Sequence, residues 1–342
     1  MSPPLLEIRD LSVHFPTADG LVRAVDGLSL TLERGTTLGV VGESGSGKSV
    51  TFLAALQLLG HSSALVGGEI LLDGSDLLTT SPREIRRIRG DRVGMIFQDP
   101  MTALHPLFRV GDQIAETLRA HRDISRRDAA RRAVAALRQV GIPNPDERAH
   151  QYPHELSGGM RQRVMIAMAL VLEPELLIAD EPTTALDTTI EAQILEIIDE
   201  MKDRLGIGVV LVSHSLATVA DVADAVLVMY AGRAVERGPC AQVFGDPQHP
   251  YTWGLLDSLP TVDARRDRLI PIAGSPPSLI DPPPGCRFAG RCPYRFDACV
   301  HDLPELVERG DGHADACLLG TANRGALRQH PVRATTAPGA LS

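Results

Sequence analysis

Short blocks of apolar residues along the first part of the chain predict β-strands with helices between them. Leu28-Ser-Leu-Thr-Leu32 alternates apolar with polar positions, as a half-buried strand does, whereas Thr37-Leu-Gly-Val-Val41 is almost continuously apolar, as a buried strand is. Residues 50–59 contain no proline and have a helix-forming composition, and Glu69-Ile-Leu-Leu72 predicts another strand. Strand, loop, helix and strand in this order are typical of an α/β fold.

The middle of the chain, from about residue 99 to residue 172, has a helical pattern instead. Ser125-Arg-Arg-Asp128 predicts a capped helix start, and apolar residues recur at helical spacing between 130 and 140. Strand-like apolar runs then return in three places, at 176–179, 208–213 and 225–229. This order predicts a group of helices inserted into a mainly parallel α/β core.

Charge narrows the possible partners. The net charge is −9 and the sequence pI is about 5.7, so the chain has no global basic field with which to bind a nucleic-acid backbone. The arginines of the predicted helix after Ser125 are interpreted as a solvated face. We therefore expect no nucleic-acid partner.

The start of the sequence and its longest apolar runs bear on location. The first ten residues lack the basic start and the long apolar region of a secretory signal. No apolar run reaches the roughly 18 residues that are needed to span a bilayer. We therefore expect the chain to stay in the cytoplasm and to serve any membrane as a peripheral partner.

Length and composition predict one large domain followed by a smaller one. At 342 residues and 44% hydrophobic content, the chain can bury one large core and the core of an appendage. Beyond about Pro260 the sequence is rich in proline and turn residues, so we place a boundary there, with domains over 1–260 and 261–320. Residues 321–342 show little apolar periodicity and are predicted to be a disordered tail.

Four of the five cysteines fall in the small C-terminal domain, namely Cys286, Cys292, Cys299 and Cys317. In a reducing compartment such clustering indicates metal binding more than disulfides. They are separated by five, six and seventeen residues, without the C-x-x-C pair of the usual zinc site, and this favours an iron–sulfur cluster. Zinc and ordinary reduced thiols remain alternatives, and Cys240, which lies apart, is interpreted as a small core residue.

One glycine-rich segment has the pattern of a phosphate-binding loop. Gly42-Glu-Ser-Gly-Ser-Gly-Lys-Ser49 matches G-x-x-x-x-G-K-[ST] between a buried strand and a predicted helix, as that pattern requires. The glycines let backbone N–H groups turn inward, Lys48 reaches the β- and γ-phosphates, and the Ser49 hydroxyl ligates Mg²⁺. The Lys-Ser ending disfavours a chance glycine-rich turn. The predicted phosphate contacts are Gly42, Ser44, Gly45, Ser46, Gly47, Lys48 and Ser49.

Two adjacent carboxylates follow another buried strand far downstream. Leu176-Leu-Ile-Ala-Asp180 ends in an acidic residue, and Glu181 comes directly after it. Asp180 is predicted to hold Mg²⁺, and Glu181 to orient and deprotonate the attacking water. An Asp-Glu pair after a strand is usually surface charge, but its occurrence beside a phosphate loop favours catalysis.

The segment Leu156-Ser-Gly-Gly-Met160, followed by Arg161-Gln-Arg163, resembles the signature of ABC ATPases. Ser157 caps a predicted helix whose first turn contains Gly158 and Gly159, so the segment exposes N–H groups to an anion. The resemblance implies a phosphate-loop RecA-like core with an antiparallel β subdomain, an inserted helical subdomain and a small Cys-containing extension. It also implies that two cassettes sandwich two ATP molecules, with each signature facing the γ-phosphate bound by the other.

The same resemblance assigns roles to four more residues. Gln98 looks like the loop glutamine that touches Mg²⁺ and water, Asp187 like the loop that crosses the dimer interface, and His214 like the switch histidine at the γ-phosphate. Phe15 matches the aromatic that stacks on adenine. Taken alone, such a histidine or phenylalanine is usually structural. The sequence departs from many relatives at Ser215, where they carry an acidic residue.

Two further stretches resemble importers of dipeptides and oligopeptides. They are the loop Phe97–Pro106 and the C-terminal segments Pro247–Leu256, Ile272–Pro277 and Gly285–Phe288. The resemblance implies ATP-driven peptide uptake at the cytoplasmic face of the membrane, with two transmembrane permease subunits, a second and different ATPase subunit, and an extracytoplasmic peptide-binding protein. Some members of this family carry a [4Fe–4S] cluster. A nickel or other small-solute importer and a non-transport ABC protein remain alternatives.

Overall fold

The computed structural model describes residues 3–60, 64–184, 186–258 and 271–329. The strands are β1 (Leu6–Thr17), β2 (Gly20–Leu32), β3 (Thr37–Val41), β4 (Leu65–Leu72), β5 (Ser75–Asp76), β6 (Val93–Ile96), β7 (Leu176–Asp180), β8 (Gly208–Ser213), β9 (Ala225–Tyr230), β10 (Arg233–Pro239), β11 (Val307–Gly310) and β12 (His313–Asp315). The helices are α1 (Lys48–Ala55), α2 (Pro82–Asp91), α3 (Pro100–Ala103), α4 (Val110–His121), α5 (Arg126–Gln139), α6 (Pro145–Arg148), α7 (Gly158–Leu170), α8 (Thr188–Leu205), α9 (Leu216–Val222), α10 (Cys240–Gly245), α11 (Pro250–Asp257), α12 (Asp297–His301) and α13 (Thr321–Gln329).

The larger of two sheets has the order β11-β12-β10-β9-β3-β8-β7-β6. Strands β6, β7, β8, β3 and β9 are parallel, and β10, β12 and β11 extend the sheet in antiparallel pairs. Strand β3 lies between two neighbours and every one of its residues is buried, which explains its continuous apolar run. The smaller sheet is antiparallel, with the order β2-β1-β4-β5.

Two apolar cores lie on opposite faces of the parallel strands. The core beneath the small sheet gathers inward side chains of β1, β2 and β4 with Phe52 of α1 and Val40 of β3. The other core includes Val41 and the helices of the middle of the chain, for example Ile166 of α7 and Ile194 of α8. Neighbouring residues of β3 thus face different cores, as the period of two in a strand requires.

The middle of the chain folds into five helices, α3 to α7. The hydroxyl of Ser125 accepts a hydrogen bond from the Asp128 backbone N–H at 3.1 Å, so the predicted cap of α5 is present. Leu137 of α5 and Ile114 of α4 are fully buried in the same core as α7. These helices are therefore packed onto the parallel core through one apolar face.

The C-terminal part continues the main sheet. Strand β12 pairs with β10, with Glu236 opposite Asp315. The predicted boundary near Pro260 falls in 259–270, which lies outside the described residues. Among the described residues, no helix is both long and apolar enough to cross a membrane.

The prediction of a disordered tail from residue 321 is wrong for its first nine residues, which form α13. Arg324 of this helix is 3% exposed and pairs with the fully buried Asp315 at 2.9 Å. Apolar periodicity did not reveal this helix, because a buried ion pair contributes to its attachment. The remainder of the predicted tail, 330–342, lies outside the described residues.

Candidate nucleotide site

The glycine-rich segment forms a tight loop from the end of β3 to the start of α1. Gly42 and Gly47 adopt φ angles of 153° and 101°, and a Cβ on either would come within 2.2 Å and 2.4 Å of the carbonyl oxygens of Met229 and Ala24. Only glycine fits this conformation and close approach. The loop therefore brings backbone N–H groups to the N-terminus of α1, where an anion is stabilised.

Lys48, the first residue of α1, has a buried side chain that turns back over the loop. Its Nζ donates to the carbonyl oxygens of Gly42 at 2.8 Å and Glu43 at 3.1 Å. Burial lowers the pKa of Lys48, while the nearby carboxylates of Glu181 and Asp180 act in the opposite direction. A polyphosphate placed on the loop would supply a stronger partner for this ammonium group than the two carbonyls.

Ser49 and Asp180 form the candidate magnesium site. The Ser49 hydroxyl donates to Oδ1 of Asp180 at 2.8 Å, joining the start of α1 to the end of β7. Asp180 is 6% exposed, and burial raises its pKa despite the bond from Ser49. Serine and carboxylate oxygens are the ligands that Mg²⁺ takes in phosphate-loop enzymes. The donor set therefore fits a magnesium ion.

Two of the three predicted catalytic residues, Gln98 and His214, converge on the carboxylate of the third, Glu181. Its Oε2 accepts from Gln98 Nε2 at 2.8 Å and from the Thr184 hydroxyl at 2.9 Å, and lies 3.6 Å from Nδ1 of His214. Strands β7 and β8 deliver Glu181 and His214 side by side, because both are parallel and end at the same edge. Glu181 has a φ of 47° and donates its backbone N–H to the carbonyl of Val212 at 2.9 Å. The loop after β7 thus fixes where this carboxylate sits.

The signature residues lie at the start of α7, beside the start of α8. Ser157 caps α7 by accepting from the Met160 backbone N–H at 3.3 Å, and Asp187 caps α8 by accepting from the Ile190 N–H at 2.9 Å. Gly159 packs against Ile190, where an added Cβ would approach to 3.0 Å. The contacts described for the signature residues include none with the phosphate loop of their own chain.

Phe15 and Ser215 occupy less decisive positions. Phe15 is partly buried in β1, packs against the core beneath the small sheet, and is paired in register with Val22 of β2. Ser215 caps α9 by accepting from the Thr218 backbone N–H at 3.2 Å. An acidic residue at 215 is therefore not required to begin this helix, because serine serves as its cap.

The contacts of Glu43, like the bond from Thr184 to Glu181, are a part of the site that the sequence motifs do not reveal. Its carboxylate accepts two hydrogen bonds from Arg291, at 2.7 Å and 3.0 Å, and its backbone N–H donates to the Tyr251 hydroxyl at 2.9 Å. Both partners lie more than 200 residues downstream. No local sequence pattern predicts such a long-range pair. The one sequence signal is Glu43 itself, because an acidic residue within a loop that binds polyanions requires a cation nearby.

The four C-terminal cysteines line one small cavity, together with the rings of His249 and Phe288. Burial raises the pKa of Cys292 to about 12 and that of Cys317 to about 11, and also raises that of Cys286. Within the described ranges, no three His, Cys, Asp or Glu side chains are arranged so that they could hold a metal ion. The iron–sulfur prediction is thus without a formed ligand group. Cys240 lies elsewhere, 8% exposed and close to the carbonyl of Val219.

Two family models match the chain. The ABC transporter model matches residues 25–184, which include the phosphate loop, the signature and the Asp180–Glu181 pair. The model of the C-terminal region of oligopeptide/dipeptide transporters matches residues 235–299, which include Tyr251, Arg291 and three of the four clustered cysteines.

Curated relatives cover nearly the whole chain. The dipeptide transport ATP-binding protein DppD of Bacillus subtilis is 50% identical over 316 residues, which are 92% of this chain and 94% of that one. The oligopeptide transport ATP-binding protein OppD of the same organism is 49% identical over 311 residues, covering 90% and 87%. DppD of Lactococcus lactis is 48% identical over 310 residues, covering 90% and 89%.

Solved structures confirm the predicted cassette fold. The dimeric bacterial ABC transporter cassette MJ0796 superimposes with a TM-score of 0.62 at 24% identity, over 69% of this chain and 98% of that one. The cbiO1 subunit of an ABC transporter complex from Clostridium perfringens gives a TM-score of 0.61 at 30% identity, over 71% and 91%. From the family models, the relatives and the fold together, the chain belongs to the ABC transporter ATP-binding proteins, within the oligopeptide/dipeptide group.

Proposed function

We propose that this chain hydrolyses ATP to power the uptake of dipeptides or oligopeptides through an ABC importer in the cytoplasmic membrane. The observation that carries the proposal is the convergence of Gln98, Thr184 and His214 on the Glu181 carboxylate, directly after the strand that carries Asp180. A C-terminal region of the peptide-transporter type, fused to this site, supports the substrate class.

The residues of the site divide the reaction among them. The loop amides and Lys48 would bind the β- and γ-phosphates, while Ser49 and Asp180 would hold Mg²⁺, which would supply positive charge to the phosphates. Glu181 orients the attacking water and accepts its proton, and His214 stabilises the γ-phosphate. Gln98 reaches the same carboxylate from an exposed loop, so a movement of that loop changes the site.

Two cassettes complete each nucleotide site. Ser157, Gly158 and Gly159 present helix N–H groups, and these require a phosphate that their own chain does not place beside them. We propose that they face the γ-phosphate held by a second ATPase subunit, that the second subunit is a different chain, and that Asp187 lies at the shared interface. Phe15 stacks on the adenine of the nucleotide in its own chain.

The loop after β6 is the proposed contact with two transmembrane permease subunits. Its large apolar side chains are exposed, from 38% for Phe97 through 51% for Met101 and 52% for Phe108 to 76% for Leu107. Such a patch beside Gln98 is suited to burial against a partner helix and to transmitting its movement. The chain thus lies at the cytoplasmic face as a peripheral subunit, and an extracytoplasmic peptide-binding protein selects the peptide.

Uptake in cells tests this function. Cells that lack the chain are expected to lose accumulation of a labelled dipeptide or oligopeptide, and to regain it with the wild-type chain but not with Glu181→Gln. The exposed Glu196 of α8 supplies the matched control, because Glu196→Gln changes the same charge away from the site. Loss of nickel uptake with unchanged peptide uptake would contradict the peptide assignment and favour the nickel importer.

Affinity purification tests the proposed partners. The chain, purified from detergent-solubilised membranes, is expected to bring down two permease proteins and a second ATP-binding protein. Recovery with ribosomes or DNA, and without membrane proteins, would contradict the importer and favour a non-transport ABC protein. Quadruple substitution of Phe97, Met101, Leu107 and Phe108 by serine should release the permeases and leave ATP binding intact.

We also propose that Cys286, Cys292, Cys299 and Cys317 bind a [4Fe–4S] cluster, with zinc as the alternative. What supports this is that four thiols line a single cavity with apolar walls, and that cysteine thiolates are the usual ligands of such clusters. Binding requires the thiols to ionise and to turn towards one point. Anaerobically purified protein should absorb broadly near 400 nm and contain iron and sulfide, and should lose both in Cys292→Ser. Zinc alone, or no metal, would contradict the cluster.

A further inference from the structure

Among the described residues, Glu43 of the phosphate loop makes hydrogen bonds to two residues of the C-terminal region, Tyr251 and Arg291. The Glu43 backbone N–H donates to the hydroxyl of Tyr251, whose side chain is fully buried in α11. The carbonyl oxygen of Glu43 accepts from Lys48 Nζ at 3.1 Å and from the Ser46 N–H at 3.2 Å. Glu43 therefore connects the groups that bind phosphate to a helix outside the cassette motifs.

Arg291 holds the Glu43 carboxylate with both terminal nitrogens, at 2.7 Å and 3.0 Å. The Arg291 side chain is 7% exposed and is fixed in turn by the carbonyl oxygens of Ala273 at 2.9 Å and Ile272 at 3.2 Å. Its guanidinium carbon lies 5.7 Å from the ring centroid of Tyr230. Contacts other than Glu43 thus fix the orientation of the Arg291 side chain, and this favours its bidentate pairing with the carboxylate.

The same C-terminal region also forms a wall beside the loop. Pro276, Pro277 and Leu279 line a small cavity together with Glu43 and residues 44–46 of the phosphate loop. The wall is joined to the small sheet, since the Arg23 N–H of β2 donates to the Leu279 carbonyl at 2.9 Å. Two separate contacts therefore bring the C-terminal region to the phosphate site.

A carboxylate inside a loop that binds a triphosphate requires neutralisation. Glu43 lies one residue from Gly42 and near enough to Lys48 to act on its ammonium group. An unpaired negative charge at that distance would repel the phosphates and would compete with them for Lys48. Pairing with Arg291 removes most of this repulsion and fixes the backbone of Glu43 at the same time.

We propose that Arg291 is a positioning residue for ATP: by neutralising and orienting Glu43, it sets the geometry of the phosphate loop and makes ATP affinity depend on the C-terminal region. In this role Arg291 acts through Glu43, to which it donates two hydrogen bonds. It lies directly before Cys292, so the cysteine-bearing segment is one residue away from the group that holds the loop. A displacement of that segment would therefore change ATP affinity through Arg291.

The test measures the dissociation constant of Mg·ATP by isothermal titration of the full-length chain. Arg291→Ala is expected to weaken binding roughly tenfold, because it leaves the Glu43 charge uncompensated. The double variant Arg291→Ala/Glu43→Gln should recover to within about threefold of wild type, since the repulsive charge is gone. A purely structural role for Arg291 would not be rescued by removing its partner's charge.

Controls separate this result from unfolding and from a general effect of charge. Arg295→Ala removes an exposed arginine from the same segment and should bind ATP as the wild type does. If Arg291→Ala does not fold, Arg291→Gln replaces it in the same pair of measurements, because glutamine keeps most of the side-chain volume. ATP binding within twofold of wild type in the folded single variant, or no recovery in the double variant, would overturn the proposal. Absence of binding by the wild type would instead contradict the nucleotide site itself.

Discussion

The nucleotide site and the C-terminal region are built in opposite ways. In the nucleotide site, short motifs far apart in sequence meet because β3, β7 and β8 are parallel neighbours that end at one edge of the sheet. In the C-terminal region, strand β12 pairs with β10, and single charged residues that belong to no motif add buried ion pairs. The comparison teaches that sequence motifs identify the functional residues of this chain. The attachment of the C-terminal region depends instead on isolated pairs of residues that are far apart in the sequence.

Buried charge is the main feature of that attachment. Glu236 and Asp315 are both fully buried, on neighbouring strands of the main sheet. Glu236 accepts from His313 at 2.8 Å and from two backbone N–H groups, and Asp315 pairs with Arg309 at 2.6 Å and Arg324 at 2.9 Å. Each carboxylate is thus surrounded by donors, and this compensates its removal from water.

The largest expected effect belongs to the nucleotide site. Glu181→Gln should lower ATP turnover by about 10²–10⁴-fold, because it removes the proton acceptor while keeping the size of the side chain. ATP binding should be retained, so the variant is expected to accumulate as a closed dimer with nucleotide bound. Steady-state hydrolysis and size-exclusion chromatography with ATP measure the two effects. Near-normal turnover would refute the role of Glu181 as base.

The next effect belongs to the C-terminal region. Asp315→Ala should lower the free energy of unfolding by about 3–5 kcal/mol, because it leaves the buried Arg324 side chain, and also the more exposed Arg309, without their carboxylate. Glu308→Ala removes a largely exposed ion pair between β11 and Arg237 of β10, which lie on either side of β12, and should cost at most about 1 kcal/mol. Chemical denaturation compares the two variants. Equal losses would show that burial does not distinguish these pairs.

A smaller effect depends on pH. His249 is 1% exposed, and burial lowers its pKa from 6.5 to about 4. The folded chain keeps His249 neutral, whereas the unfolded chain protonates it below pH 6.5. The contribution of neutral His249 to the free energy of unfolding is therefore complete above pH 6.5 and is lost as the pH falls towards 4. The loss reaches up to about 3 kcal/mol. His249→Asn, which keeps an acceptor for the Tyr251 N–H, should flatten this slope.

His313 should act in the opposite direction. The hydrogen bond to Glu236 raises the pKa of His313. The contribution of protonated His313 to the free energy of unfolding is therefore complete below pH 6.5 and is lost as the pH rises through the raised pKa. Denaturation midpoints measured from pH 4.5 to pH 8 distinguish the two histidines. A wild-type slope that His249→Asn leaves unchanged below pH 6.5 would contradict the role of His249.

The sequence predicted the nucleotide site far better than the C-terminal region, for a physical reason. Lys48 and His214 follow buried strands and Asp180 ends one, each within a recognisable pattern, and parallel strands bring such positions together. Arg291 and Arg324 belong to no pattern, because an ion pair depends on where two distant segments meet and not on local periodicity. The helix α13 was missed for the same reason, since Arg324, which is buried among its described side chains, is a paired arginine.

Direct titration of ATP tests the central claim, that the loop around Lys48 binds the nucleotide which drives this transporter. The full-length chain with Mg²⁺ is expected to take up ATP in a saturable manner, at one site per chain, and Lys48→Ala is expected to abolish that uptake while the protein remains folded. Absence of ATP binding by the wild-type chain, alone and within its membrane complex, or unchanged binding by Lys48→Ala, would contradict the account.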